Sequence, residues 1–317
     1  MYKRQGYAEL TVERRQIAGS EEAKRLARWF SSTSSAGIFS IDGEESASLR
    51  FVQWDKPEDF KAKLLEVVAE ELKLGDADDK NGFHRLAMGS TPREGDFDLF
   101  QPTEDGKPGA VRKVEEWQIL SPLRGMPFGV GDINRHIHNQ YHDDFVNLAS
   151  ESYWERQIPQ PHGAERIVYG DKVINIKNER VPDVYPVEGA EKYIANGEIG
   201  VVVGVLDADA PPDTIQVEFS SQQGYIYDFA AKGEQVPLEL AYALTVHKAQ
   251  GSQFDLVILV LPKGHRIMSR ELIYTALTRH RRRVVVMHQD SLVHLKELTE
   301  PHRSEIARRR TNLFGEC

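Results

Sequence analysis

The chain has 317 residues, a formal net charge of -9, and 40% hydrophobic and 28% charged residues. This is the composition of an ordinary globular protein, and the length predicts two domains or one domain with a large insertion. No apolar run approaches the ~20 residues of a membrane-spanning helix, and the first residues do not resemble an export leader, so we expect no membrane partner. The single cysteine, Cys317, excludes an intrachain disulfide and a cysteine metal site, and it favours the reducing cytoplasm.

Charge and composition vary along the chain. The acidic balance argues against a general nucleic-acid coat, but Lys and Arg outnumber Asp and Glu between residues 264 and 310, which allows a local basic face. The opening pentapeptide, MYKRQ, is atypical of a natural domain start. We interpret residues 1–5 as a non-native scar, which predicts that the chain is the tail of a longer protein; the alternative is an ordinary polar N-terminus.

The N-terminal half alternates predicted helices and strands. Apolar periodicity and cap residues predict, in chain order, a helix over 20–30, a strand over 48–54, a helix over 57–74, a strand over 117–122 and a helix over about 130–142. Gly75 is expected to close the second helix. Residues 75–111 are rich in Gly, Asp and Pro and predict weak order at best.

Short alternating β-type segments separated by turns fill residues 163–236 and predict a small all-β barrel inserted into an α/β domain. The α/β pattern then resumes, with strands over 239–247, 255–262 and 284–289, helices over 269–279 and 290–299, and a basic helix to Arg310. The predicted division is therefore 6–162, 163–236 and 237–317, with the first and last parts forming one α/β unit.

A polar loop, HKAQGSQ, lies between two apolar strand-like runs in residues 241–262, and we expect the runs to be buried and the loop to be exposed. Thr245 and His247 lie at the end of the first run, where open parallel sheets place ligands. Lys248, Gln250 and Gly251 follow, and glycine permits a positive φ. Thr, His and Lys side chains donate to phosphate or sugar oxygens, whereas an isolated His-Lys pair is more commonly a solvated loop.

The segment YTALTRHRRR ends a predicted helix at Arg279. A rigid arginine presents two parallel N–H donors to a phosphoryl group and stabilises the charge that develops in phosphoryl transfer. Arg15, in LTVERRQ, is a second candidate of this kind, with a salt bridge at a helix start as the alternative. We expect Tyr274 and Leu277 to face the sheet, and residues 281–283 to form a solvated or DNA-proximal turn.

Other candidates have simpler interpretations. Arg124, in the turn LRGMPFGVG, is either a contact to a DNA backbone or a surface arginine. Tyr225 and Tyr227 suit base stacking, but their alternation predicts that at least one is in the core. Three histidines at near-helical spacing lack a carboxylate pattern for a metal, so we predict no metal site and surface positions for His136, His138 and His142.

TVHKAQGSQFD followed by YTALTR resembles the last two motifs of superfamily 1 DNA helicases of the RecD-like branch, T-x-H-K-x-Q-G-S-E-F-D and Y-T-A-L-T-R. Further segments are similar to that family in the same order, so that the resemblance covers about residues 10–300: LTVERRQ, WQILSPLRG, and GDKVINIKN with YIANGEIGVVVG. The resemblance implies a RecA-like second lobe, with helices on both faces of a parallel sheet, interrupted by an SH3-like barrel at 163–236.

The same resemblance implies roles for individual residues. Arg15 and Arg279 would reach the γ-phosphate of ATP, and Thr245 and His247 would lie near the phosphates of single-stranded DNA. The residues implied to couple the nucleotide state to the grip on DNA are Lys248, Gln250, Gly251 and Gln253. Gln253 stands where the family commonly has Glu, and it keeps the reach of that side chain without the charge.

No G-x-x-x-x-G-K-[ST] loop occurs in these residues, and no acidic box ends a hydrophobic strand before Arg15. The resemblance therefore implies that ATP and Mg²⁺ are held mainly by an N-terminal RecA-like lobe outside this chain, which alone would not hydrolyse ATP. The implied function is the C-terminal motor half of an ATP-dependent DNA helicase, with 5′-to-3′ movement by analogy. Two alternatives stay open: a stand-alone nucleic-acid-binding module, and the helicase part of a conjugative relaxase.

Overall fold

A computed structural model describes residues 19–31, 46–93, 98–104, 107–125, 127–151, 158–203, 214–230, 236–264, 267–289 and 291–305. The helices are α1 (Glu21–Trp29), α2 (Phe60–Leu72), α3 (Lys80–Gly82), α4 (Ala110–Val114), α5 (Val130–Tyr141), α6 (Asp143–Ala149), α7 (Arg270–Leu277) and α8 (Val293–Glu297). A π-helical turn (Phe83–Ala87) continues α3, and two 3-10 turns span Ser220–Gln222 and Pro301–Arg303. Arg15 and the pentapeptide interpreted as a scar lie outside the described residues.

The strands are β1 (Leu49–Trp54), β2 (Trp117–Ser121), β3 (Lys172–Asn175), β4 (Val184–Tyr185), β5 (Ile199–Val203), β6 (Thr214–Phe219), β7 (Ile226–Ala230), β8 (Leu238–Leu240), β9 (Ala243–Thr245), β10 (Phe254–Leu261) and β11 (His280–Gln289). Five of them form a parallel sheet in the order β1-β11-β10-β2-β9. The predicted parallel α/β sheet is therefore confirmed.

Helices cover both faces of this sheet. On β10, Ile258 and Val260 point into the core that contains α2 and α5, and Val257 and Leu259 point into the core that contains α1 and α7. Successive side chains of a strand face opposite sides, so a strand covered on both faces is apolar throughout. This accounts for the unbroken run FDLVILVL of β10.

The remaining six strands form an antiparallel sheet in the order β4-β7-β6-β5-β3-β8. Among the described residues no pairing joins β4 to β8, so closure into an SH3-like barrel stays a prediction. The strand expected over 239–247 is two strands, because β8 pairs with β3 and β9 pairs with β2. The chain thus passes from one sheet to the other between Leu240 and Ala243; we call residues 240–243 the crossing segment.

The expectation of weak order over 75–111 is wrong for much of that stretch. Its scattered apolar residues belong to the core, with Phe83, Met88 and Phe100 fully buried. The preceding helix, α2, ends at Leu72, and its cap residue is Lys73, with a left-handed φ of 61°, rather than Gly75. The short helix α6 was not predicted.

The basic run after Arg279 is strand rather than turn, because β11 already begins at His280. Arg283 forms a two-pronged ion pair with Glu71, at 2.6 Å from Nε to Oε2 and 2.8 Å from Nη2 to Oε1. Tyr274 was expected to face the sheet, but it is 37% exposed, whereas Leu277 is buried. Within the described ranges, no helix has the length and apolar character needed to span a bilayer.

Candidate nucleotide and nucleic-acid site

The crossing segment is fixed by two buried amide side chains that the sequence reasoning missed. Asn134 of α5 donates from Nδ2 to Leu240 O (2.8 Å) and accepts at Oδ1 from Ala243 N (2.7 Å). Gln118 of β2 donates from Nε2 to the carbonyls of Ala241 and Tyr242, both at 3.0 Å. These bonds satisfy backbone groups between the two sheets, and so they fix where β9 begins.

The loop over 246–253, which we call the motif loop, leaves β9 in tight turns. Ala249 N donates to Thr245 O at 3.1 Å, and Lys248 N donates to Thr245 Oγ1 at 3.3 Å. Val246 and Ala249 are buried and hold the loop against the core, while Gly251 has a φ of 96°. The exposure expected of this insert is present at His247, Gln250 and Gly251.

Thr245 lies beside the loop that follows β2, because Ser121 is its partner in the sheet. The Ser121 hydroxyl donates to Phe128 O at 2.9 Å and accepts from Leu123 N at 3.2 Å, which closes this second loop. Both loops therefore leave the carboxyl ends of neighbouring parallel strands, where open α/β sheets bind ligands. Arg124 projects from the second loop with 70% of its side chain exposed.

Arg124 and Lys248 meet at one carboxylate, that of Glu239 on β8. Arg124 Nη2 lies 2.8 Å from Glu239 Oε1, and Lys248 Nζ lies 2.7 Å from Glu239 Oε2. Glu239 was not among the predicted site residues, because its strand precedes the motif and pairs with the inserted sheet. The structure brings these three charges together from three separate elements.

Arg279 lies at the other end of the motif loop and is only 9% exposed. Its guanidinium donates to Thr275 O at 3.1 Å, to Thr278 Oγ1 at 3.3 Å and to Ser252 O at 3.4 Å. In addition, Phe254 N donates to Arg279 O at 3.0 Å. The motif loop therefore has Thr245 and His247 at its start and the predicted phosphate-contacting arginine at its end, with Gln253 between Ser252 and β10.

The prediction of surface histidines is wrong for His138 and His142, which are buried beneath the crossing segment. His138 Nδ1 lies 2.9 Å from Asp171 Oδ1, the same oxygen that accepts from the Tyr242 hydroxyl at 2.5 Å. Asp171 Oδ2 accepts from Val168 N at 2.7 Å. The carboxylate partner was not recognised because it lies in the inserted sheet, distant in sequence. We call the buried residues His138, His142, Asp171, Lys172 and Tyr242 the Asp171 cluster.

Burial shifts the titration of this region. It lowers the pKa of His142 to about 3, despite the nearby Asp171 charge. Burial also lowers the pKa of His138, but the charge and hydrogen bond of Asp171 outweigh it, so the net pKa is raised. Next to Asp171, burial lowers the pKa of Lys172 to about 7; its Nζ donates to Trp117 O at 2.7 Å and lies 4.7 Å from the Trp117 ring centre. In the part of the chain that is described, no group of three or more His, Cys, Asp or Glu side chains is placed to hold a metal ion.

Residues 240–287 match the family model of the UvrD-like helicase C-terminal domain. This range contains the motif loop and Arg279. This part of the chain is therefore similar to the C-terminal region of RecD-like superfamily 1 helicases. The matched residues begin at the crossing segment and end within β11.

Curated relatives match a longer part of the chain. The chain is 32% identical over 181 residues to the ATP-dependent RecD2 DNA helicase of Deinococcus radiodurans. This alignment covers 57% of this chain and 20% of that protein. It is 34% identical over 123 residues to the RecBCD enzyme subunit RecD of Mycobacterium tuberculosis, covering 38% of this chain and 18% of that protein. The chain thus spans about a fifth of the length of these relatives.

A solved structure of Pif1 helicase from Bacteroides, in complex with ADP-AlF3 and ssDNA, covers 74% of this chain and 52% of that chain. Its sequence identity is 17% and its TM-score is 0.32. That similarity is too low to assign roles to individual side chains of this chain.

Proposed function

We propose that this chain is the C-terminal motor half of an ATP-dependent DNA helicase that acts in the cytoplasm and moves 5′ to 3′ on single-stranded DNA. The observation that carries the proposal is the contact between Arg279 and Ser252 O, which joins the predicted phosphate-contacting arginine to the motif loop. Thr245 directly precedes this loop and His247 lies in its first turn, and both are proposed to contact DNA. The motif loop therefore lies between the proposed contact to ATP, at Arg279, and the proposed contacts to single-stranded DNA.

The geometry of Arg279 suits a contact to the γ-phosphate of ATP. Its bonds to Ser252 and Thr278 are long, at 3.4 and 3.3 Å, and bonds of that length are weaker than a charge-assisted bond to a phosphoryl oxygen. If Arg279 donated to phosphoryl oxygens instead, its bond to Ser252 O would be lost, and the motif loop would no longer be held at that point. ATP, when bound, supplies the phosphoryl group; we propose that a first RecA-like lobe holds it and its Mg²⁺, with Arg15 as a second contact from this chain.

The proposed DNA contacts lie together at the carboxyl edge of the parallel sheet. A cavity of about 450 Å³ beside Arg124 is lined partly by Lys61, Phe128 and Arg135. Basic side chains with an aromatic neighbour suit the backbone and bases of a single strand. We propose that Thr245, His247 and Arg124 contact the backbone, and that Lys248, Gln250, Gly251 and Gln253 carry the change at Arg279 to them.

The experiment that tests this function measures ATP turnover and DNA binding separately. The 317-residue chain alone should show no DNA-stimulated ATP hydrolysis, because it has no phosphate-binding loop; detectable turnover would contradict the proposal. In a protein that also contains the first lobe, Arg279→Ala should lower turnover by about 10³-fold or more, as expected for an arginine finger. Its affinity for single-stranded DNA should remain within about threefold of the wild-type value, since no phosphate contact to DNA is lost.

Arg281→Ala is the matched control, because Arg281 is an exposed arginine of β11 that lies near Asp255. Its turnover should equal that of the wild-type protein. If Arg279→Ala retains wild-type turnover, the motor assignment fails. The alternative, a nucleic-acid-binding module without motor activity, is then favoured.

A further inference from the structure

Two cations of the candidate site converge on a single anionic group. Arg124 comes from the loop after β2, Lys248 from the motif loop, and each contacts a different oxygen of the Glu239 carboxylate, at 2.8 and 2.7 Å. A carboxylate and a phosphodiester both present two negatively charged oxygens to such donors. The arrangement is therefore that of an anion site in which a side chain of the protein occupies the place of the anion.

The Glu239 carboxylate is held in this site by weak interactions, so a phosphate group can displace it. The side chains of Lys248 and Glu239 are about a quarter exposed, at 26% and 27%, and that of Arg124 is largely exposed. Ion pairs in contact with water contribute little net stability, because solvent screens them. A phosphate group that approaches from solvent can therefore replace the carboxylate without disrupting the fold.

Glu239 cannot move far from the site. It lies in β8, opposite Ile174 of β3, and the next residue is fixed by a bond from Leu240 N to Glu165 Oε2 at 2.7 Å. When a phosphate displaces the carboxylate, its negative charge therefore stays nearby and continues to oppose binding. Such a charge lowers the affinity of the site and does not abolish it.

We propose that Arg124 and Lys248 form a site for one phosphodiester group of single-stranded DNA, and that Glu239 fills this site in the DNA-free protein as an internal competitor. This inference rests on the proposed function, and it assigns Lys248 to the DNA as well as to the coupling loop. It predicts that removal of the Glu239 charge tightens DNA binding.

The test is fluorescence anisotropy of a labelled oligothymidylate with the 317-residue chain, over a series of salt concentrations. Glu239→Gln should bind about three- to tenfold more tightly at low salt, and its plot of log affinity against log salt should be steeper by up to about 0.7, the value for one phosphate of a single strand. Unchanged or weaker binding by Glu239→Gln overturns the inference.

Glu116→Gln is the matched control. It removes the same charge from an exposed ion pair, 2.8 Å from Lys113 Nζ, at the opposite end of β2. A similar gain in affinity from this control would show a general charge effect and would overturn the inference. The gain from Glu239→Gln should also fall below about twofold when Arg124 and Lys248 are both alanine, because the site is then absent.

The same measurements distinguish failure of the proposed DNA-binding role from failure of the inference about Glu239. If neither the wild-type chain nor Glu239→Gln binds the oligonucleotide at low salt, the proposed DNA-binding role fails and the inference fails with it. If both bind with equal affinity, only the inference fails. Inorganic phosphate is titrated as a separate ligand: tighter binding of phosphate by Glu239→Gln, without tighter binding of DNA, overturns the assignment to a phosphodiester.

Discussion

The motif loop and the Asp171 cluster both adjoin the crossing segment, yet they differ in exposure. His247 and Gln250 of the loop are exposed, whereas Asp171, His142 and Lys172 are fully buried. In the buried cluster, burial lowers the pKa of His142 to about 3 and that of Lys172 to about 7. Perturbed titration is often used to find functional sites, but structural networks cause it too, and here it identifies the junction between the two sheets.

The junction has a clear structural purpose. Asp171 directly precedes β3, and Lys172 is its first residue. Asp171 bonds to His138 and Tyr242, whereas Lys172 bonds to the carbonyl of Trp117 in β2. The inserted sheet is thereby tied to the parallel sheet through buried polar groups, which are costly to leave unpaired. We therefore expect the two regions to respond differently to substitutions and to pH.

The largest effect is expected for Asp171→Ala. The substitution leaves the Val168 amide, the Tyr242 hydroxyl and His138 without their acceptor in a buried site, so the free energy of unfolding should fall by about 3–5 kcal/mol. Urea unfolding followed by circular dichroism measures the change. Asp132→Asn, which breaks an exposed ion pair of 3.0 Å with Lys61, serves as the control and should cost less than about 1 kcal/mol. Equal effects would mean that the Asp171 cluster is not a stabilising junction.

A smaller effect is expected from pH, through Lys172. Burial lowers the pKa of Lys172 in the folded chain to about 7, against 10.5 for the free side chain. Between these values the unfolded chain binds a proton that the folded chain does not, so the free energy of unfolding should rise with pH, by about 1 kcal/mol per unit from pH 7.5 to 9. Well below pH 7 both states carry the proton and this contribution is constant.

Lys172→Met is the matched variant, since methionine has an unbranched side chain of similar length without the charge. Urea unfolding at a series of pH values should show that the rise disappears in this variant. If the wild-type chain and Lys172→Met have parallel profiles from pH 7.5 to 9, the lysine is not the source of the dependence.

The comparison also shows what the sequence could predict. The apolar runs of β1, β2 and β10 and the periodicity of α2 and α7 are local signals, and they predicted elements close to those observed. The exposure of the motif loop followed from its polar residues between two apolar strands. Local patterns also suggested, wrongly, that residues 281–283 form a turn, because the pairing of Arg283 with Glu71 depends on residues more than 200 positions apart.

The junction and the Glu239 contacts could not be predicted for the same reason. His138 lies in α5, Asp171 directly before β3 and Tyr242 in the crossing segment, and no local spacing relates them. Glu239 lies close to the motif in sequence, but its role follows from the change of sheet between β8 and β9. A single continuous strand over 239–247, as expected from the sequence, would have hidden that change.

The measurement that tests the central claim most directly compares DNA affinity with stability in the double variant His247→Ala/Lys248→Ala. Because both side chains contact solvent, the free energy of unfolding should change by less than about 1 kcal/mol. Affinity for a labelled oligothymidylate at low salt should fall about tenfold, as expected for lost phosphate contacts, while Lys113→Ala, in an exposed pair elsewhere, should leave it unchanged. A folded double variant that binds DNA as tightly as the wild-type chain would contradict the assignment of the motif loop to DNA.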